Sequence, residues 1–444
     1  MAGSEARAAL RGRFELAVLA LAGVAATLAM VWYRAWQVSL NDYSTEARMP
    51  LTALLHGHIW TFLKAAPSYG PSLELRAPFA LLGSLAGGSP LLIYRLSALP
   101  CLLALAGLAV WIAPRLRSAG RGWIAVLLML AVCVANPINY YALAIGHPEE
   151  ALGAVLCVAA VIVALRGQSI WAGLLLGVAI SNKEWAVVAI GPVLLALPEK
   201  RWRALLTAGV TTLVLLGPIA LASSSVKAAS GRITVNDGGS TFYPEQIWWF
   251  FGTPGRWLPS MAGQLLHGYR WPPSWLQGRA HLLIAWIGLP LSWLAYRRGM
   301  PRQNVLALLA LLLLLRCILD PWDLVYYPLP FIVALLTWET TVKHRAPIGA
   351  VAATLATWAI FECLPNHLSA NQLALSFIVP SLLALAAMSR IVYRRPPSEG
   401  SQMPCEQAVQ STTRSSFGNW LSRRQPSGVS TVRSSIRTPS SPGK

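Results

Sequence analysis

The chain has 444 residues, of which 55% are apolar and 12% charged, about half the roughly 25% charged share of an ordinary soluble domain. With a mean hydropathy of +0.52, this excludes a soluble globular protein, because several stretches of roughly 18 or more residues without a charge are long enough to cross a bilayer. The net charge of +19 would suggest nucleic acid in a soluble chain, but in a multi-span chain it reports membrane orientation, and no nucleic-acid partner is expected.

Arg7, Arg11 and Arg13 precede an apolar run from about Phe14 to Trp36. The run is longer than a signal-peptide core and has no small-residue cleavage site after it, so it reads as an uncleaved first span. From about Gln37 to Gly88 the chain is too charged to cross. Leu51, Leu54, Leu55, Ile59, Phe62 and Leu63 repeat there at helical spacing, which suits an amphipathic helix lying in the interface. Pro78 to Leu85 reads as a second interfacial helix or a re-entrant piece. Further spans are expected at about 89–113, 123–138, 149–166, 169–182, 185–198, 204–222, 280–296, 303–319, 325–341, 346–363 and 371–391.

The fold class expected is therefore an all-α multi-span membrane protein, a bundle of about 10–13 transmembrane helices with amphipathic helices in the first outer loop. Residues 1–13 would form a cytoplasmic N-terminus and 14–391 the transmembrane domain, with outer loops at about 37–88 and 223–279. Residues 392–444, rich in Ser, Pro and Arg, would form a disordered basic tail near anionic lipid. The runs 169–182 and 185–198 fall short of the roughly 20 residues a crossing helix needs, which recesses Lys183 and Glu184 between two tilted half-depth helices. The loop from Ser223 to Arg279 is dense in aromatics, among them Trp248, Trp249, Phe250, Phe251, Trp271 and Trp275. Interface anchoring is the favoured reading of most of these rings, and stacking on a sugar or an isoprenoid chain is the other. Cys101, Cys133, Cys157 and Cys317 lie in apolar runs with no CxxC spacing, as small buried hydrophobes do.

With the N-terminus cytoplasmic, most lysines and arginines fall on the inner side, whereas eleven of the 17 acids fall on the outer one. Since the positive-inside rule concerns Lys and Arg alone, the acids suggest a site on the outer face. Glu149 and Glu150, at the start of a span, also suit the helix dipole by itself. Both termini are expected inside, in the cytoplasmic (plasma) membrane.

Several clusters carry possible chemistry. Asp42 follows the first span, with Glu46 four residues on, and a carboxylate there suits a general base; a helix cap is the alternative. Lys183 needs a counter-charge at membrane depth, supplied by Glu184 or by a lipid phosphate, and Arg95 poses the same choice. Arg316 and Asp320 are spaced for a salt bridge, and the turn that follows, with Trp322, Asp323, Tyr326 and Tyr327, suits a cation or sugar hydroxyls. His147-Pro148-Glu149-Glu150 is a similar cluster. His56 and His58 have an HxH spacing without a third ligand, so no metal site is expected.

Tyr69-Gly70-Pro71-Ser72-Leu73 followed by Ala77-Pro78-Phe79, then Tyr94-Arg95-Leu96-Ser97-Ala98 leading a span, resembles the N-terminal half of the GT-C glycosyltransferases that use polyprenyl-phosphate sugars. Trp171 to Ala179, a Gly-Leu-rich helix ahead of Lys183, is similar to the same superfamily, and the bacterial mannosyltransferase-like families are nearest in plan. Where those families have a proline pair and a Lys-Pro, this chain has Tyr69-Gly70-Pro71 and Lys183-Glu184. The resemblance, over about residues 14–390, implies transfer of a hexose, mannose favoured, from a polyprenyl-phosphate donor to a lipid or glycan acceptor with inversion. It implies Asp42 as base and Lys183 and Arg95 on the donor phosphate. His147, Glu149, Glu150, Asp320, Trp322, Asp323, Tyr326 and Tyr327 would then line the sugar or acceptor pocket. No cofactor is implied, with a divalent cation left open. The competing class is a membrane transporter or flippase of lipid-linked substrates, which the short helices around Lys183 fit loosely. A non-enzymatic partner in an envelope assembly is the third.

Overall fold

In the computed structural model, residues 2–34, 41–223, 243–254, 270–271, 273, 275–276, 280–320 and 324–394 are described. The tail expected at 392–444 lies outside them from residue 395 on. Helix α1 (Ala2–Arg34) starts well ahead of Phe14, because Ala6 to Arg11 is made of strong helix formers; its membrane-length part is Gly12–Tyr33. A π-helical turn, Tyr43–Ala47, leads into α2 (Arg48–Leu55), α3 (Ile59–Ala65) and α4 (Gly70–Leu85).

Two expectations for this layer of short helices are corrected. The single amphipathic helix is broken at His56-Gly57-His58, where Gly57 takes a φ of +74°, a conformation L side chains resist. Conversely, Pro78 starts nothing: α4 is one helix of 16 residues with Pro71 in its first turn and Pro78 inside it, the first position needing no N–H and the second giving up one bond.

The bundle continues with α5 (Pro90–Ser118), α6 (Trp123–Cys133), α7 (Pro137–Ile145), α8 (Glu149–Leu165) and α9 (Ser169–Asn182). A 3₁₀ turn, Glu184–Ala189, enters α10 (Ile190–Ala196), and α11 (Arg201–Ala222) follows. A ribbon of β1 (Thr253–Pro254) and β2 (Arg270–Trp271) pairs antiparallel, Thr253 opposite Trp271. Helices α12 (Ala280–Arg297), α13 (Val305–Leu319), α14 (Leu329–Thr341), α15 (Ile348–Trp358) and α16 (Ala370–Tyr393) complete the fold. Among the described residues, seven helices are long and apolar enough to cross a membrane, and four shorter apolar helices accompany them. The protein is an all-α multi-span membrane protein.

Burial follows hydrophobic pattern. Helix α13 is apolar all round but for Arg316 in its last turn, and every side chain from Val305 to Ile318 is buried, the behaviour of a helix at the centre of a bundle; α14 packs beside it. Exposed Leu21, Leu213, Trp286 and Leu383 mark the periphery that lipid covers. Helix α9 lies tightly on α11 because a Cβ on Gly173 or Gly177 would strike the Ala204 or Ala208 carbonyl, the close approach that small residues four apart permit. At one end of the bundle, the start of α8 and the ends of α9 and α11 meet the layer of short helices α2 to α4, and the Ser223 hydroxyl donates to the Ala66 carbonyl at 2.7 Å.

Candidate active site

The corner between α7 and α8 carries the central residue. Gly146 turns with φ +108° while lying against the Tyr43 backbone, where a Cβ would clash, so only glycine admits this approach. The turn brings His147 against Asp42: the ring Nε2 lies 3.0 Å from Asp42 Oδ2 and Nδ1 lies 2.7 Å from Glu149 Oε1. Burial and the Lys183 ammonium push the imidazole pKa down, but the charge of Glu149 and the hydrogen bonds to Asp42 and Glu149 outweigh them and lift it to about 9. A doubly protonated ring donates both N–H groups, so His147 orients the Asp42 carboxylate from one side while Glu149 orients His147 from the other.

Glu149 is the hub. It is fully buried, its Oε2 lies 3.3 Å from Arg76 Nη1, and its Oε1 lies 3.4 Å from Lys183 Nζ. Lys183 also reaches Glu150 at 3.5 Å and sits 4.5 Å over the Tyr69 ring. Of the two partners open to Lys183 from the sequence, Glu184 is not the one it contacts: the ion pairs go to Glu149 and Glu150. Lys183 ends α9 in extended backbone (φ −155°, ψ 127°), which turns consecutive side chains to opposite sides. Glu184 accepts instead from the Ser68 hydroxyl at 3.4 Å. The acids also lie in the first turn of α8, where the helix dipole favours them. With His147 protonated, Arg76, Lys183 and His147 balance Asp42, Glu149 and Glu150, which is how buried charge is tolerated.

The α13–α14 turn joins this cluster through rings. Tyr326 packs on His147 at 5.4 Å and on Tyr327 at 5.1 Å. Arg316 donates from Nη1 to the Tyr327 carbonyl at 3.1 Å and lies 4.0 Å from Asp320, the i,i+4 contact the sequence suggested. Its guanidinium also stacks near Trp185. Thus Asp42, His147, Glu149, Glu150, Lys183, Tyr326 and, through Arg316, Asp320 and Tyr327 come together. Trp322 and Asp323 lie outside the described residues.

Other expected residues go elsewhere. Arg95 places its guanidinium over the Trp32 ring at 4.7 Å. Glu46, by contrast, reaches the edge of the cluster: it accepts from the Tyr69 hydroxyl at 2.7 Å, and the Tyr69 ring packs edge-on against His147, the ring on Asp42, at 5.7 Å. His56 and His58 stack on each other in exposed positions. Trp248 and Trp249 brace the bundle, donating to the Leu319 carbonyl and to Asn371, both at 2.9 Å, while Phe250, Phe251, Trp271 and Trp275 stay exposed.

Arg76 and Tyr69 belong to the cluster and were not singled out from the sequence. A signal was available: Ser72, Leu73, Arg76, Ala80 and Gly83 form one buried stripe of α4, so the arginine occupies a core position of an amphipathic helix.

The family model described as glycosyltransferase family 87 matches residues 69–321, a stretch that contains every member of the cluster except Asp42, Tyr326 and Tyr327. Alpha-(1->6)-mannopyranosyltransferase A of Mycobacterium tuberculosis (strain ATCC 25618 / H37Rv) is 27% identical over 371 residues, 78% of this chain and 65% of the relative. The chain thus spans just under two thirds of the length of the curated relative it matches. No solved structure matches. The matched stretch covers more than half of the chain, and the chain belongs to glycosyltransferase family 87, in keeping with its resemblance to the GT-C glycosyltransferases.

Proposed function

We propose that the protein is an integral membrane glycosyltransferase that moves a hexose, with mannose favoured, from a polyprenyl-phosphate donor to a lipid or glycan acceptor. The observation that carries this reading is the convergence of Asp42, His147, Glu149 and Lys183 within hydrogen-bonding or ion-pair distance at one end of the bundle. The family supports transfer of a sugar, and the curated relative's name supports mannose. A neutral, mostly buried cluster beside the membrane suits a lipid-linked donor better than a soluble nucleotide sugar.

In the proposed reaction, Asp42 takes the proton of the acceptor hydroxyl. The oxygen attacks the anomeric carbon, the bond from that carbon to the phosphate oxygen breaks, and its electron pair leaves on the polyprenyl phosphate. Attack from the face opposite the leaving group inverts the anomeric centre. His147 fixes the base. Lys183 has three N–H donors, two of them directed to Glu149 and Glu150, and stabilises charge developing on the leaving phosphate. Tyr326, Tyr327, Asp320 and Glu150 line the sugar or acceptor side, with Trp322 and Asp323 assigned there by sequence alone. Among the described residues, Glu150 Oε2, Trp185 Nε1 and Arg316 Nε are buried without a hydrogen-bond partner, and substrate hydroxyls suit such groups. Arg95 is kept as a second phosphate contact of the donor's lipid end.

The site faces outward in the cytoplasmic membrane, with both termini inside, in accord with the basic residues at the opposite end of α8, α11 and α13. The test is transfer of labelled mannose from polyprenyl-phosphate mannose by the purified, reconstituted chain. Asp42→Asn is expected to lower kcat about 10²–10⁴-fold with the thermal midpoint kept. Undiminished transfer by this variant overturns the assignment of the base, and accumulation of substrate inside proteoliposomes without donor consumption overturns the enzyme.

A further inference from the structure

At the end of the bundle opposite the ion-paired cluster, a cleft of about 440 Å³ opens between the α10–α11 corner and the α12–α13 corner. Its position follows from the helices that bound it. Helix α11 begins at the cleft with Arg201 and ends beside Ser223, which bonds the layer of short helices; 22 residues rise about 33 Å, the thickness of a bilayer core. Helix α13 likewise starts at Val305 in the cleft and carries Arg316, in its last turn, into the cluster.

The lining has two parts. Leu195, Leu197 and Val305 are apolar, and Arg201, Arg302 and Tyr296 are polar. Arg302 is fixed by donating from Nε and Nη2 to the Ala196 carbonyl, and Arg201 lies 5.8 Å from the Tyr296 ring. Lys200, Arg203, Arg297 and Arg298 are exposed around the mouth, and Glu199 is the one acid of segments 197–203 and 296–302. Elsewhere on this face arginines and lysines lie over tryptophans, as Arg166 does over Trp111 and Lys343 over Trp338, away from the lining of this cleft. The combination of a fixed cationic rim, an apolar floor and headgroup depth fits a molecule with a phosphate and a hydrocarbon chain. The volume falls within the roughly 300–1,000 Å³ of small-molecule sites.

We propose that this cleft binds one anionic phospholipid of the leaflet opposite the active site, its phosphate against Arg201 and Arg302 and an acyl chain along Leu195, Leu197 and Val305. The site is distinct from the donor site and does not depend on the glycosyltransferase reading.

The full chain in nanodiscs of phosphatidylcholine with added phosphatidylglycerol tests it, with lipid retained on release measured by native mass spectrometry. One phosphatidylglycerol per chain is expected in preference to phosphatidylcholine. Arg201→Gln and Arg302→Gln should each lower retention about fivefold, and the pair about 25-fold. Leu195→Trp, which fills the floor and leaves every charge in place, should also lower it. Arg166→Gln with Lys343→Gln, which removes two charges from the same face away from the cleft, should not. Equal loss in that control pair shows a diffuse surface-charge effect and overturns the proposal. Unchanged retention in Leu195→Trp overturns the acyl seat, and displacement of the lipid by soluble glycerol phosphate shows a free-phosphate site instead.

Discussion

The two ends of the same helices handle charge in opposite ways. At the end that holds the candidate site, Arg76 and Glu149 are 1% and 0% exposed and held within a network of at least three ion pairs. At the opposite end, Arg117 is 34% exposed and 3.9 Å from Glu15, and arginines such as Arg203 and Arg297 lie over tryptophans in exposed positions. Desolvation explains the difference: a charge taken out of water needs several fixed partners, whereas one at the headgroup level needs only an aromatic ring and water. The charges around Glu149 are therefore tied to one geometry, and those at the opposite end are not.

The strongest way to break this contrast is Glu149→Gln. It leaves Arg76 and Lys183 facing a neutral amide in a buried site, a loss expected at about 3–5 kcal/mol. A sharp fall in thermal midpoint and in the yield of monodisperse protein would register it. Lys183→Gln comes next: it removes the cation proposed for the leaving phosphate and should reduce kcat about 10²–10³-fold, measured at saturating donor to separate binding from chemistry.

A pH series sharpens the contrast further. Because the His147 pKa is raised from 6.5 to about 9, its protonation favours the folded chain. That contribution is complete below about pH 6.5 and is lost as pH rises through about 9. The thermal midpoint should therefore drop between pH 7 and pH 10, and His147→Gln should flatten that part of the curve relative to the parent. Asp42, Glu149, Lys183, Tyr69 and Tyr326 face this ring, so the difference between the two curves is the informative quantity. Smallest of all, Arg117→Gln should change stability by less than about 0.5 kcal/mol, since a long, partly exposed ion pair is largely screened.

Hydropathy made the membrane helices legible, down to the short pair on either side of Lys183, because burial in lipid demands long apolar runs whatever the tertiary packing. The layer of short helices was less legible. Whether Pro78 begins a helix or sits inside one depends on packing against α5, and the break at Gly57 depends on one backbone angle. Asp42, His147, Glu149 and Lys183 were visible as scarce polar residues near span ends. Their pairing was not, because sequence proximity favours Glu184 for Lys183, while the extended link after α9 directs the ammonium to acids on α8. Arg76 was hidden for a related reason: its buried stripe emerges only once Gly70 to Leu85 is seen as a single helix.

The hub at Glu149 also imposes a timetable on biosynthesis. Arg76 is made before α8, and Lys183 only after α8 and α9 have been made. When Glu149 and Glu150 first reach the membrane, one of them has a counter-charge waiting and the other has none. Arg76 and His147 thus precede Glu149 in the chain while Lys183 follows it, so a chain that stops short of residue 183 lacks the one cation that reaches both acids in the finished site.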